Sequence, residues 1–120
     1  MAIKISGPSV IKAAGNKPKL IEEYAGKVNT KEDRISIAKM TSPEGWVEPG
    51  QTPEFDEYTV VLKGNLRVKT KQEVIELKEK EAILVKKGEW VQYSTPYEGG
   101  AEYMAICLPA FSPEAVHRDE

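Results

Sequence analysis

Apolar positions along the chain recur at intervals of two more clearly than at helical intervals, a pattern that predicts strands. Arg34 to Met40 reads as a strand, and Tyr58 to Leu62 is a β-rich run of Tyr-Thr-Val-Val-Leu. Lys63-Gly64-Asn65 and then Leu66 to Thr70 follow it, a spacing that predicts a hairpin. Further strands are expected at Glu73 to Leu77, Ala82 to Val85, Trp90 to Thr95 and Ala101 to Leu108, with Gly88 and the Pro96–Gly100 segment as breaks. In the Glu57–Leu62 segment, alternation puts Glu57, Thr59 and Val61 on one face and Tyr58, Val60 and Leu62 on the other. Both faces are apolar after the first residue, which predicts a strand covered on both sides. In the Trp90–Thr95 segment the faces are Val91, Tyr93 and Thr95 against Trp90, Gln92 and Ser94.

Two segments break the pattern. Ser42 to Asp56 holds Pro43, Gly45, Pro49, Gly50 and Pro53 and is expected to be a long irregular loop. Ser112-Pro113-Glu114 supplies an N-cap, a proline for the first helical position and an early acid, so one short C-terminal helix is expected. Lys17 to Val28 fits a strand or a helical turn equally well. Regularly spaced short strands of this kind indicate an all-β sandwich or barrel, whose closure removes exposed sheet edges.

Composition narrows the function classes. A chain of 120 residues suits one domain. Its expected parts are an N-terminal extension or strand (1–33), a barrel core (34–108) and a tail (109–120). No run approaches the ~18 apolar residues of a spanning helix, and Met1 to Gly15 has no apolar stretch, so a cytoplasmic protein without a membrane partner is expected. Seventeen basic and nineteen acidic residues nearly cancel, which argues against nucleic acid as a partner. Arg67, Lys69 and Lys71 recur at intervals of two and belong to the solvent face of a strand. Cys107 is the only cysteine, which excludes a disulfide framework. It lies in an apolar strand without an adjacent cation and reads as core.

The segment Gly45-x5-Gln51-x-Pro53-x3-Glu57-x6-Gly64 resembles the first cupin motif, Gly-x5-His-x-His-x3-4-Glu-x6-Gly. Lys80 to Thr95 is similar to the second motif, with Gly88 kept and Val91 at the histidine position, and the span Asn65 to Glu79 between them is the short one of small bacterial cupins. Phe55-Asp56-Glu57 ahead of Val60-Val61-Leu62-Lys63-Gly64 resembles the histidine-poor cupins of the ethanolamine-utilisation type. Leu108 to Glu120 is similar to the tail of small bacterial cupins of unassigned role. The resemblance implies an all-β, cupin-like double-stranded β-barrel (jelly roll) with a short C-terminal helix. It also implies a homodimer in which an N-terminal strand is exchanged or an edge is paired between subunits.

Where metal-binding cupins carry three histidines and a glutamate, this chain has Gln51, Pro53, Val91 and Glu57. Proline and valine offer no donor atom, so no metal of the family type is expected. The one histidine, His117, lies in the tail. No glycine-rich phosphate fingerprint precedes a helix, so no nucleotide cofactor is expected either. An enclosed Glu57 carboxylate needs hydrogen-bond donors or a proton. Gln51, Thr59 and Tyr93 are the candidate donors, Trp90 and Trp46 are candidate walls, and Glu54 and Asp56 are aimed away by alternation.

Three roles fit these residues. The first is a small-molecule-binding domain that holds a polar metabolite against Gln51, Glu57, Thr59, Tyr93 and Trp90. The second is a metal-independent isomerase, epimerase or lyase with Glu57 as general base and Tyr93 as its acid partner. The third is an accessory protein of ethanolamine-utilisation type with a vestigial pocket.

Overall fold

A computed structural model describes all 120 residues. The strands are β1 (Ser9–Ile11), β2 (Leu20–Ala25), β3 (Ser36–Ser42), β4 (Trp46–Val47), β5 (Asp56–Gly64), β6 (Leu66–Thr70), β7 (Val74–Leu77), β8 (Ala82–Val85), β9 (Val91–Thr95) and β10 (Ala101–Leu108). One helix, α1 (Pro113–Val116), follows, capped by the Ser112 side chain with proline in its first turn. Its termination at His117, in the left-handed region, turns the last residues back toward the barrel.

Two antiparallel sheets face each other in a jelly roll. The larger runs β1-β2-β3-β10-β5-β8 and the smaller β4-β9-β6-β7. Alternation fills the space between them: β6 buries Leu66, Val68 and Thr70, β9 buries Val91, Tyr93 and Thr95, and β10 buries Ala101, Tyr103, Ala105 and Cys107. Val61, Leu77 and Val85 join this core. A second small cluster, Phe55, Cys107 and Val116 with Phe111 against it, lies under the tail.

Four expectations from the sequence need correction. Lys63-Gly64-Asn65 does not close a hairpin, because β5 pairs with β10 and β8 while β6 pairs with β7 and β9. The tight turn instead carries the chain from one sheet to the other. Gly64, at φ +79°, allows it, because a Cβ there would collide with the Gly100 carbonyl. The hairpin partner of β6 is β7, joined by a turn in which Thr70 N donates to the Glu73 carbonyl.

Second, β5 is not covered on both sides: Tyr58 and Leu62 remain 46% and 47% exposed on the outer face of the larger sheet. Apolar character on both faces signals double burial only where a further layer exists. Third, the Ser42–Asp56 segment is less irregular than its prolines suggest, since β4 within it pairs with β9. Fourth, Trp90 lies just before β9 rather than in it. The ambiguous N-terminal third resolves as strands, with β2 pairing with β3 and β1 with β2 inside one chain. No helix is long and apolar enough to cross a membrane.

Candidate functional site

Toward one end of the barrel the space between the sheets remains open as a cavity of ≈ 70 Å³, lined by side chains from β1–β3, β5, β9, β10, the segment after β4, and the tail. Glu57 is the second residue of β5 and shares its inward face with Thr59 and Val61. Residues 48–51 run beside β9. Glu48 N donates to Tyr93 O, and Gln51 and Val91 exchange backbone hydrogen bonds of 2.9 Å, so the Glu48 and Gln51 side chains both reach the cavity. The tail docks on the other side of this segment: Thr52 N donates to His117 O, and Asp119 N to Gly50 O at 2.7 Å. Arg118 is thereby carried into the cavity wall. Gly50 is required here, because a Cβ would meet the Trp90 ring and the Asp119 carboxylate.

Lys19, one residue before β2, enters from the opposite sheet. Its Nζ donates to the Tyr103 hydroxyl at 3.0 Å and lies 3.9 Å from the centre of the Trp46 ring. Tyr103 shares a further hydrogen bond with Ser42 Oγ at 2.9 Å. Lys19, Glu48, Glu57 and Arg118 thus converge from three distant parts of the sequence, and none of them is paired in a salt bridge.

Burial dominates the electrostatics. It pushes Glu57 up to about 7, with Glu48 adding to the rise and Lys19 opposing it. Burial likewise raises Glu48 to about 7 against the pull of Lys19 and Arg118. The Lys19 ammonium is lowered to about 8 by burial, although Glu48 and Glu57 both favour its charge. Several polar atoms have no hydrogen-bond partner: Glu48 Oε2, Thr59 Oγ1, the Tyr93 hydroxyl and Arg118 Nε. Unsatisfied buried polar atoms at such density are uncommon in a barrel interior.

Of the residues singled out in the sequence, Gln51, Glu57 and Tyr93 line this cavity together. Thr59 is fully buried behind them, close enough to influence Glu57 and Tyr93 but without a hydrogen bond of good geometry. Trp90 is not brought to the cavity. Alternation along β9 sends it to the opposite side from Tyr93, where its Nε1 donates to Asp119 Oδ2 at 2.8 Å and fastens the tail. Trp46 is buried core with its face under Lys19. His117 points outward to Glu54, and Asp56 caps the Lys87 amide. Cys107 is core, buried beside Phe55 and Val116, and also borders the cavity; burial and then Glu57 push its thiol well up, which keeps it protonated.

Sequence reading missed Lys19, Glu48 and Arg118. Lys19-x-Ile21-x-Glu23 alternates inward, and a strand assignment for that segment would have placed the lysine inside. Glu48 and Arg118 carry no local signal, because their positions depend on two segments pairing across the mouth.

No family model matches the chain. The chain is 40% identical over 101 residues to a Myxococcus xanthus protein described as endoribonuclease YbeY. That match covers 84% of this chain but only 34% of the relative. Among solved structures, oxalate decarboxylase from Bacillus subtilis superposes with a TM-score of 0.77 at 14% identity, over 97% of this chain and 31% of that one. The putative ethanolamine utilization protein Q of Salmonella typhimurium gives 0.68 at 16% identity, over 87% and 97%. The polyketide cyclase RemF of Streptomyces resistomycificus gives 0.74 at 18%, over 100% and 85%. The chain is a cupin by fold.

The cupin fold raises the question of a metal. At the positions of the cupin histidines, Gln51 lines the cavity, Val91 is sealed in the core and Pro53 is buried. No group of three His, Cys, Asp or Glu residues converges anywhere in the chain. What faces the cavity is two carboxyls with raised pKa and two cationic side chains. That donor set does not suit a transition metal, because the cations oppose another positive charge and no imidazole is within reach.

Proposed function

We propose that this cupin binds a small, polar, anionic metabolite in its barrel. The observation that carries the reading is the meeting of Lys19, Glu48, Glu57 and Arg118 around one cavity without mutual ion pairs. Burying these ionisable groups costs several kcal/mol unless a partner supplies hydrogen bonds to the atoms that lack them, Glu48 Oε2 and Arg118 Nε. A ligand with one acidic group and one or two hydroxyl or carbonyl oxygens supplies them. Its acid faces Lys19 or Arg118, and its hydroxyl donates to the ionised Glu48 or Glu57 carboxylate or its carbonyl accepts from the protonated carboxyl. Gln51 and the Tyr93 hydroxyl orient it. A cavity of ≈ 70 Å³ limits the ligand to a few heavy atoms, too few for a nucleotide.

The raised Glu57 favours the second reading, general-base chemistry on the same ligand. Tyr93 is the weaker part of that reading. Burial followed by the nearby Glu57 and Glu48 drives its hydroxyl far up, so it serves as a hydrogen-bond donor rather than as an acid. Retained polar groups without partners argue against a vestigial pocket, which apolar packing would stabilise. Endoribonuclease activity, the description of the longer relative, finds no support in a net charge of −2 and a cavity of this size. Homodimerisation fits the exposed Tyr58 and Leu62 on the outer face of the larger sheet.

Thermal-shift measurement against short hydroxy, oxo and amino acids, with calorimetry on each hit, tests the proposal. Glu57→Gln is expected to weaken the best ligand about tenfold, or ~1.4 kcal/mol. If no acid shifts the melting temperature and Glu57→Leu only stabilises the fold, the cavity is vestigial.

A further inference from the structure

Lys19 is the one cavity group for which ligand binding alone leaves a property unused. Its ε-amine is held rather than free: the Tyr103 hydroxyl is 3.0 Å away, and the Trp46 and Tyr103 rings lie 3.9 Å and 5.3 Å from the nitrogen. It makes no ion pair, although Glu48 and Glu57 are near enough to act on it electrostatically. Arg118 lines the same cavity from the tail with a buried Nε that has no partner. A confined amine, two carboxyls and a separate guanidinium are the parts needed for carbonyl condensation.

We propose that Lys19 is a covalent site, whose amine condenses reversibly with the carbonyl of a small oxo acid held in the cavity to form a Schiff base. The proposal rests on the binding reading above. The ammonium first gives a proton to an ionised Glu48 or Glu57, and the freed lone pair attacks the carbonyl carbon. One N–H proton passes through a carboxylate to the alkoxide oxygen, giving a neutral carbinolamine. Its hydroxyl takes a second proton from a carboxyl and departs as water, while the remaining N–H proton goes to a carboxylate. The C=O bond is replaced by C=N, one water leaves, and no oxidant or reductant is consumed. Arg118 holds the carboxylate of the oxo acid, which orients the carbonyl toward Lys19.

Two facts support the chemistry independently of position. Burial lowers Lys19 to about 8, so at pH 7 its neutral-amine fraction exceeds that of an ordinary lysine by roughly 300-fold. Glu48 and Glu57, each at about 7, are present in both protonation states at that pH and so serve as acceptor and donor.

The test is reductive trapping of the intact protein with pyruvate and sodium borohydride, read by whole-protein mass and peptide mapping. A single reduced adduct at Lys19 is expected, formed about tenfold or more faster than at exposed Lys63, with a rate that saturates in pyruvate. Lys19→Arg and Lys19→Met should lose it while circular dichroism shows them folded, and Glu57→Gln should slow it in a protein that still melts cooperatively. Adducts spread evenly over surface lysines, or persisting in Lys19→Met, overturn the proposal. A parallel thermal shift with lactate, which has no carbonyl, separates the two readings. A lactate shift without a Lys19 adduct sinks the covalent step alone, whereas trapping that never saturates, with no thermal shift from lactate or pyruvate, sinks the binding reading and the covalent site with it.

Discussion

One barrel end is hydrocarbon and the other is charged, although the same two-residue alternation builds both. At the first, Val61, Leu66, Val68 and Leu77 meet between the sheets with at most 5% of any of them exposed. At the second, Lys19, Glu48, Glu57 and Arg118 meet around a cavity. The contrast separates stability from function in the chain. The apolar end supplies the burial that holds the sheets together, and the polar end draws on that stability to keep ionisable groups out of water.

The sharpest way to break the comparison is to damage the apolar end. Leu66 is fully buried, and Leu66→Ala is expected to cost about 2–5 kcal/mol in urea unfolding. Ligand affinity of the molecules that remain folded should not change. A large loss of affinity would mean that the two ends are coupled.

The pH dependence of stability reads the polar end directly. Glu48 and Glu57 are raised from ordinary values to about 7, so the folded state holds more protons than the unfolded state between pH ~4.5 and 7. Stability is therefore highest at the acid side of that window and falls as pH rises to 7, by roughly a few kcal/mol in all. Lys19, lowered to about 8, acts in the opposite direction: stability recovers as pH rises from 8 toward 10.5. The expected profile is a trough near neutrality, measurable by denaturant titration at fixed ionic strength. Glu57→Gln should flatten the acid side of the trough, and a ligand that binds the cations should fill it.

Arg118→Met addresses the tail's contribution to the polar end. The guanidinium has no protein partner for Nε, so its loss should change stability by less than ~1 kcal/mol. Removing a charged hydrogen-bond donor from an acidic ligand should weaken binding by about 1.5–3 kcal/mol in calorimetry. Equal losses in both measurements would make Arg118 a structural strut.

The apolar end was legible in the sequence because its residues are local: β6, β7, β8 and β9 each declare an inward face by alternation. Half of the polar end was legible for a similar reason, since Gln51 and Glu57 belong to one spaced motif and Tyr93 to one strand. Lys19, Glu48 and Arg118 were not, because contacts between segments as far apart as residues 19, 48 and 118 leave no period in the chain. The Gly64 turn misled in the other direction. Gly-Asn between two β-rich runs reports a reversal of direction, and only the partners of β5 and β6 say that the reversal changes sheets.

The tail that closes the polar end has two side-chain fastenings, and they are expected to differ in kind rather than only in strength. Trp90 Nε1 donates to Asp119 Oδ2 next to Gly50, one residue from Arg118, whereas His117 and Glu54 meet in the open with more than half of each side chain exposed. His117→Ala should therefore shift stability by at most ~1 kcal/mol and leave ligand affinity alone, because an exposed pair is screened by water and salt. Trp90→Phe removes the donor together with the outer edge of the indole that faces Gly50, at a cost of about 1 kcal/mol or more. Its effect on the ligand should appear mainly as faster release, because Arg118 is held in place through the backbone of Asp119 and Gly50, which this hydrogen bond steadies. Stopped-flow release rates for the two variants decide the matter. If His117→Ala speeds release as much as Trp90→Phe does, the exposed pair shares in holding the tail, and the mouth of the barrel is closed by the whole strap rather than at Trp90.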